Sequence, residues 1–476
     1  MVRSVLLEAL KRPFLRFWLG ALAVTASFAA VTLQVPIYDT HETLIASSAA
    51  ENFVPASLWG LARLALPVLV ATAGYLVCLH VLRDDRIITM GSVVVACGIA
   101  GTAALPSVPL TSPDATHTAA DVRTLWLHGI YPSSSEGVPG LIDDPVARQV
   151  IVFKNEQSAY GPLSYVIGGA HIPFVGDGLG ANVFGVKAVG GLCLILTAFA
   201  AGWVAWRLRK NGPLAVAAVG LNPLLIWEFP GEGHNDSIMT MFAVAAVGGL
   251  VAVEVRGRLA GILGAAAAVL AKFSMVVLGP LIVAYWLPRL RLLVAAAVAL
   301  SPFLLLVWFW FESSNRVAFT VSAQSVSVAT VWEGIADVFD SSEYLSEIFW
   351  VGFGLIAAAI VAWHPLRTPS DFVNAVAFLL FVLVFALPGY YPWYQVWCLP
   401  FAALSDQYWL KVGALVFSCG AFIPVLAVNF EGTLDRDLGI AEPTYLAALL
   451  LWGTTALVMY LLWASGRRAV EAEIRA

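Results

Sequence analysis

Charge is scarce in this sequence. Only 12% of its 476 residues are Asp, Glu, Lys or Arg, against 60% hydrophobic, and an ordinary soluble domain carries about twice that charged share. With a mean hydropathy of +0.84, the deficit excludes a water-soluble globular body and makes lipid the solvent for most of the chain. The Lys and Arg residues gather in a few short loops and form no basic face, so nucleic-acid binding has no support. Cysteine is also sparse: Cys78, Cys97, Cys193, Cys398 and Cys419 each sit inside an apolar run without CxxC spacing, which argues against a disulfide framework and against zinc. Internal repeats of the kind that build inverted-repeat transporters are missing too.

What the chain has instead is a succession of apolar stretches of about 20 residues, the length a helix needs to cross a bilayer. Positive residues in short loops set orientation, and Arg83/Arg86, Arg207/Arg209/Lys210, Arg256/Arg258, Arg289/Arg291, Arg367, Lys411 and Arg467/Arg468 mark the cytoplasmic side. Between them the pattern predicts membrane helices near 17–36, 57–81, 87–106, 182–207, 212–228, 236–254, 259–271, 274–288, 290–311, 345–363, 372–388, 392–405, 411–428 and 444–465. The first, behind Arg3, Lys11, Arg12 and Arg16, reads as a retained span, and both termini come out cytoplasmic. The apolar segment 160–175 is short and interrupted by Gly161, Pro162, Gly168, Gly169 and Pro173, and reads as a re-entrant or interfacial helix on the outer face. The pair 259–271 and 274–288 admits one long tilted helix as an alternative. The expectation is a single all-α polytopic membrane domain over 1–476, with a main outer loop at about 107–160 and a second at about 312–344.

Ionisable groups at or below the membrane rim are expensive unless paired or used, which makes each a functional candidate. Asp114 directly follows the third span and Pro113. A carboxylate there suits general-base work, with helix capping as the plainer reading, and His117 and Asp121 follow in the same loop. Glu228, Glu232, His234, Asn235 and Asp236 fall together between two apolar helices. Asn235 or Asp236 can cap the following helix, whose N–H groups suit an anion such as phosphate, and His234 can donate to that anion; a capped polar turn is the alternative. Lys272 lies deep in "AAAAVLAKFSMVVLGPL", where a phosphate or an ion pair with Glu228, Glu232 or Asp236 would account for it. Tyr390, Tyr391, Trp393, Tyr394 and Trp397 surround an outer turn, as interfacial belt residues or as a stacking surface for sugar. Together these suit transfer from a polyprenyl-phosphate sugar: a base for the attacking hydroxyl, and positive charge with N–H donors for the departing phosphate. The first outer loop has no DxD, so no tightly held divalent metal is called for, although Asp143-Asp144 leaves one open.

In chain order, Asp114 followed by Gly129-Ile130-Tyr131-Pro132, Tyr160-Gly161-Pro162, Asn222-Pro223-Leu224 with Gly233-His234-Asn235-Asp236-Ser237-Ile238-Met239, Lys272, and Pro392-Trp393-Tyr394 resemble motifs of a known family. It is that of the GT-C-fold integral-membrane glycosyltransferases, particularly the bacterial polyprenol-phosphate-mannose-dependent α-mannosyltransferases that extend lipoglycans. After Asp114 the chain departs from the family pattern, with Ala115, Thr116, His117 and Thr118 where aromatic and Ser/Tyr residues are usual. The resemblance implies a GT-C-type bundle, for which the span map gives about 13 to 15 membrane segments, with short amphipathic helices in the extracytoplasmic loops. It also implies an inner-membrane enzyme that transfers a hexose, mannose in that family, from a polyprenyl-phosphate donor to a glycan or glycolipid on the extracytoplasmic face. Asp114 would be the base, with His117 or Asp121 able to share that role. Lys272, His234, Asn235 and Asp236 would bind the donor phosphate, and Tyr160, Glu228, Glu232, Tyr391, Trp393 and Tyr394 would line the sugar or lipid groove. No tightly bound cofactor is expected. A transporter or flippase of a lipid-linked sugar, and a membrane protein O-glycosyltransferase, are the competing readings.

Overall fold

The structure is a computed structural model that describes residues 12–34, 57–286 apart from 86 and 153, 352–360 apart from 358, and 366–475 apart from 441. The expected second outer loop at 312–344, the span at 290–311 and much of that at 345–363 lie outside the described residues, as does most of the loop after the first span. Among the described residues there is helix and no strand, as an apolar chain requires when no water is at hand to satisfy its backbone. In order come α1 (Pro13–Gln34), α2 (Leu58–Asp84), α3 (Met90–Ala104), α4 (Asp114–His128), α5 (Pro162–Gly168), α6 (Leu179–Arg207), α7 (Gly212–Gly220) and α8 (Pro223–Ile226). Then follow α9 (Asp236–Leu250), α10 (Val255–Ala271), α11 (Gly279–Trp286), α12 (Pro369–Ala386), α13 (Gln395–Leu404), α14 (Tyr408–Gly420), α15 (Phe422–Asn429), α16 (Glu431–Leu438) and α17 (Pro443–Arg475).

Among the described residues six helices are long and apolar enough to cross a membrane: α1, α2, α6, α12, the stretch Tyr408–Asn429, and Pro443–Gly466 of α17. A seventh forms if α7 and Pro223–Gly231, bent by 51°, count as one span. The polytopic all-α class is therefore borne out. α6 is the central post and packs against α3, α4, α7, α9 and α13.

Three of the predicted spans change character. The expected helix at 392–405 is a single 3-10 turn, Pro392–Tyr394, followed by the ten-residue α13. It is too short to cross, and its broken backbone is tolerated because α13 is buried against α6, α7, α9 and α12 rather than against lipid. The pair 259–271 and 274–288 is neither two clean spans nor one long helix. α10 ends at Ala271, Lys272 is extended at φ −154° and ψ 125°, and a 3-10 turn, Phe273–Leu278, leads into α11. The 160–175 segment is the seven-residue α5 plus a 3-10 turn, Gly169–Phe174, short as expected.

The main outer loop is pinned by charge. Buried Arg123 on α4 donates to Asp144 through Nε at 3.0 Å and Nη2 at 2.8 Å, and to Asp177 at 2.7 Å; Asp144 also accepts from the Val146 and Ala147 N–H groups. Asp143, by contrast, turns outward to Arg148, so the two adjacent aspartates serve separate arginines. Removing one partner of a buried pair leaves an uncompensated charge and costs about 3–5 kcal/mol. Arg123→Leu is accordingly expected to lower the melting temperature in detergent clearly. Asp143→Asn, at an exposed pair, should shift stability by no more than about 1 kcal/mol. Equal melting curves for wild type and Arg123→Leu would refute the role given to Arg123.

Candidate active site

The site grows from a distorted turn. Asn222 caps α8 by accepting from the Leu225 N–H and donates its amide to the Ser418 hydroxyl at 2.8 Å on α14. The chain then runs into a π-helical turn, Trp227–Gly231, that contains Pro230. Such widened turns re-aim side chains. Here Glu228 comes to face His234, whose own N–H closes the turn on the Glu228 carbonyl at 3.1 Å. Gly233 follows at φ +86°, a conformation open to glycine, with the Ala115 methyl only 2.9 Å from where a Cβ would lie.

The other side of the site is the segment before α4, and Glu232 holds it. Its buried carboxylate accepts from three successive N–H groups, those of Leu110, Thr111 and Ser112, at 2.9–3.1 Å. Burial pushes this carboxyl above its ordinary range, and the N–H groups of Leu110 and Thr111 pull the other way. Lys187, fully buried on α6, donates to the Ser107 carbonyl and braces the same segment from within the bundle. Asp114 is thereby delivered to the first position of α4, where its side chain makes no capping bond; the capping alternative falls.

Asp114 instead reaches His234, with Oδ2 and Nδ1 3.3 Å apart, and the opposite ring nitrogen lies 3.2 Å from Glu228. The imidazole is wholly buried while Asp114 keeps 26% of its side chain exposed, so the aspartate is the member of this triad that meets an incoming molecule. Burial alone would lower the His234 pKa, but the contacts with Asp114 and Glu228 outweigh it and carry it to about 10. Burial likewise opposes ionisation of Asp114, and His234, with His117 and Ser112 behind it, holds the carboxyl below its ordinary value. The result at neutral pH is an imidazolium held between the Asp114 carboxylate and the Glu228 side chain. Both nitrogens of His234 therefore face the chain's own acidic side chains, Asp114 and Glu228, where the sequence reading has His234 donating to a ligand anion.

Trp393 stacks on the His234 ring at 3.7 Å and 17°, and Tyr391 stacks on Trp393 at 4.6 Å. Edge-on to Trp393 stands Tyr394, which stacks on Trp397 at 4.1 Å. These two rings and Tyr160 surround the Lys272 ammonium at 4.6, 5.0 and 4.7 Å, a cation–π cage. Lys272 donates to Asp236 Oδ1 at 2.8 Å; Trp397 Nε1 donates to the same oxygen at 2.7 Å, and the Tyr160 hydroxyl donates to Oδ2 at 2.9 Å. Of the sequence alternatives for Lys272, an ion pair is present, with Asp236. Tyr160 is fixed by its neighbour: the Gly161 N–H donates to the Ala271 carbonyl at 2.8 Å, and any Cβ on Gly161 would strike the Leu270 carbonyl. Burial, then Asp236 and Asp114, keep the Tyr160 phenol protonated well above its ordinary pKa, so it acts as a donor.

The structure thus gathers Asp114, Glu228, His234, Asp236, Lys272, Tyr160, Tyr391, Trp393 and Tyr394 into one cluster, linked by the ring stack. Glu232 is not a groove residue; it faces the backbone of the 110–112 segment. Asn235 occupies the N-cap of α9 but its side chain makes no cap bond, and Asp236, buried in the first turn, is already engaged by three donors. His117 and Asp121 pair with each other at 3.3 Å. Burial lowers the His117 pKa, Asp121 more than offsets it, and the value rises to about 9, so His117 is cationic at neutral pH and poorly suited to accept a proton. Sequence reasoning missed Lys187, although a lysine inside an apolar span is the very signal that marked Lys272. It also left Trp397 among the belt residues, whereas the ring is buried with its N–H on Asp236.

An all-helical polytopic membrane protein with a triad of acid, histidine and acid beside a caged lysine is the class that fold and site define. Residues 17–289 match the family described as "Alpha-(1->6)-mannopyranosyltransferase, N-terminal domain", and the chain belongs to it. It is 27% identical over 341 residues to the alpha-(1->6)-mannopyranosyltransferase A of Mycobacterium tuberculosis, spanning 64% of this chain and 63% of that protein. To the protein of the same name from Corynebacterium glutamicum it is 24% identical over 353 residues, 64% of this chain and 69% of the relative. No solved structure matches. The resemblance to the mannosyltransferases is borne out.

Proposed function

We propose that this chain transfers a mannosyl residue from a polyprenyl-phosphate donor to a hydroxyl of a glycan or glycolipid on the extracytoplasmic face of the membrane. The observation that carries the reading is the pairing of a partly open, ionised Asp114 with the caged Lys272 across one aromatic stack. Asp114 takes the proton of the acceptor hydroxyl as its oxygen bonds to the anomeric carbon, and the carbon–oxygen bond to phosphate breaks on the opposite side. The phosphate leaves with the bonding pair, and Lys272, which has N–H groups beyond the one on Asp236, meets its charge. The step balances without a further group. Displacement in line inverts the anomeric centre, so an α-linked product, as in the relatives' names, requires a β-linked donor. The extracytoplasmic assignment is supported by α6: Gly190 adjoins His234, whereas Arg207, 17 residues on, ends the helix roughly 25 Å away in a basic loop.

The test is transfer in proteoliposomes with polyprenyl-phosphate-mannose and an oligomannoside acceptor. An elongated α-mannoside is expected; movement of the donor across the bilayer with no transfer would replace the reading by a transporter.

The pH profile is a further check. Asp114 is depressed, so its ionised form is lost only as pH falls below the ordinary carboxylate range. His234 is raised from 6.5 to about 10, so the contribution of its charge is complete below 6.5 and lost as pH rises through about 10. kcat/KM is expected to be level from weakly acidic pH to about 9 and then fall. Glu228→Gln should move the alkaline limb down by about one pH unit or more, because one of the two carboxylates facing the imidazolium is gone. An unmoved limb would detach His234 from the rate.

A further inference from the structure

At the far end of α6 from the candidate site, α2, α7, α13 and α14 enclose a cavity of about 140 Å³. Its lining is graded. Lys210 and Lys411 stand at one end, where α6 and α13 finish and α14 begins, while Leu79, Leu399, Leu415 and Tyr75 line the remainder. Tyr75 lies nine residues before the end of α2, or roughly 13 Å along the helix, and its hydroxyl is spent on the Ala218 carbonyl. The slot therefore runs from a charged mouth into an apolar interior.

The charges at the mouth do not cancel. Lys210 donates to the Leu404 carbonyl and pairs with Asp406 at 2.8 Å. The Lys411 ammonium, only partly exposed, makes no hydrogen bond or close ion pair among the described residues and shares the charge of Asp406 with Lys210. Asn211 is neutral, with one amide N–H on the Leu82 carbonyl and its oxygen accepting from the Leu214 N–H, so it brings no compensating charge. One positive charge is left over, at the rim of an apolar slot. A partly buried, unpaired ammonium is costly in a membrane protein unless something anionic meets it.

We propose that this cavity is a binding site for a phosphodiester lipid of the adjoining leaflet that carries one net negative charge, its phosphate on Lys411 and the start of an acyl chain between Leu79, Leu399 and Leu415. One uncompensated lysine matches one phosphodiester charge, and the polar-to-apolar grading matches an amphiphile and not a soluble anion. A zwitterionic lipid brings its own cation and gains less.

The test is native mass spectrometry of the full chain in detergent, titrated separately with dioleoylphosphatidylglycerol, dioleoylphosphatidylcholine and undecaprenyl phosphate. Phosphatidylglycerol should be retained in preference to phosphatidylcholine. Lys411→Gln should weaken it about fivefold, the equivalent of about 1 kcal/mol for one lysine at a lipid surface. Lys411→Arg should retain it, and Ala403→Phe, which fills the slot, should lose it. Equal retention of the two phospholipids, or unchanged phosphatidylglycerol binding in Lys411→Gln, would overturn the proposal. Lys411-dependent retention of undecaprenyl phosphate alone would overturn the choice of a phospholipid.

Discussion

Asp114→Asn should lower kcat for the proposed mannosyl transfer by about 10²–10⁴-fold, the contribution expected of a general base, while the KM for donor changes little. The amide keeps the shape of the carboxylate but accepts no proton. Because 26% of the Asp114 side chain is exposed and Glu228 still faces the buried His234 ring, the exchange leaves no charge wholly without a partner and should lower the melting temperature less than Arg123→Leu does. Asp121→Asn is the informative companion. Asp121 is buried beside a cationic His117, so its loss should fall on stability before chemistry. Steady-state kinetics and thermal unfolding of both variants separate the roles. A wild-type rate in Asp114→Asn would remove the base, and a comparable loss of kcat in a stable Asp121→Asn would move it one stretch along α4.

Where a charge stood among apolar neighbours, the sequence was readable. Asp114 after the third span and Lys272 within its apolar run were marked by the expense of leaving ions in lipid, and both lie in the cluster. Their partners were not readable, because pairing is set by helices that meet from afar: Trp397 reaches Asp236 across 161 residues, and Tyr160 reaches it across 76. His234 and Glu232 show the same limit from the other direction. Both belong to a polar turn that reads as an anion site, yet His234 faces two acidic side chains and Glu232 faces three backbone N–H groups. The predicted span at 392–405 failed for a related reason. Hydropathy reports that a segment avoids water, and α13 avoids water inside the protein rather than by crossing the bilayer.

Lys272→Met should cost about 10²–10³-fold in kcat, the scale for removing one preorganised charge from a site where negative charge develops. Methionine keeps the length and apolar stem between Tyr160, Tyr394 and Trp397, so the cage stays filled. The single variant alone is ambiguous, since it also strips a buried Asp236 of its ion-pair partner. The double variant Lys272→Met/Asp236→Asn resolves this, because the amide oxygen can still accept from Trp397 Nε1, the amide nitrogen can donate to the Tyr160 hydroxyl oxygen in place of accepting from it, and no charge is stranded. If Lys272 serves only to neutralise Asp236, the double variant regains both stability and rate. If the ammonium meets the departing phosphate, the double variant regains stability and stays slow, with the deficit in kcat rather than in KM because the interaction strengthens only as the phosphate leaves. The second outcome is expected, and the first would leave Lys272 as a structural partner and return the leaving-group charge to groups yet to be found.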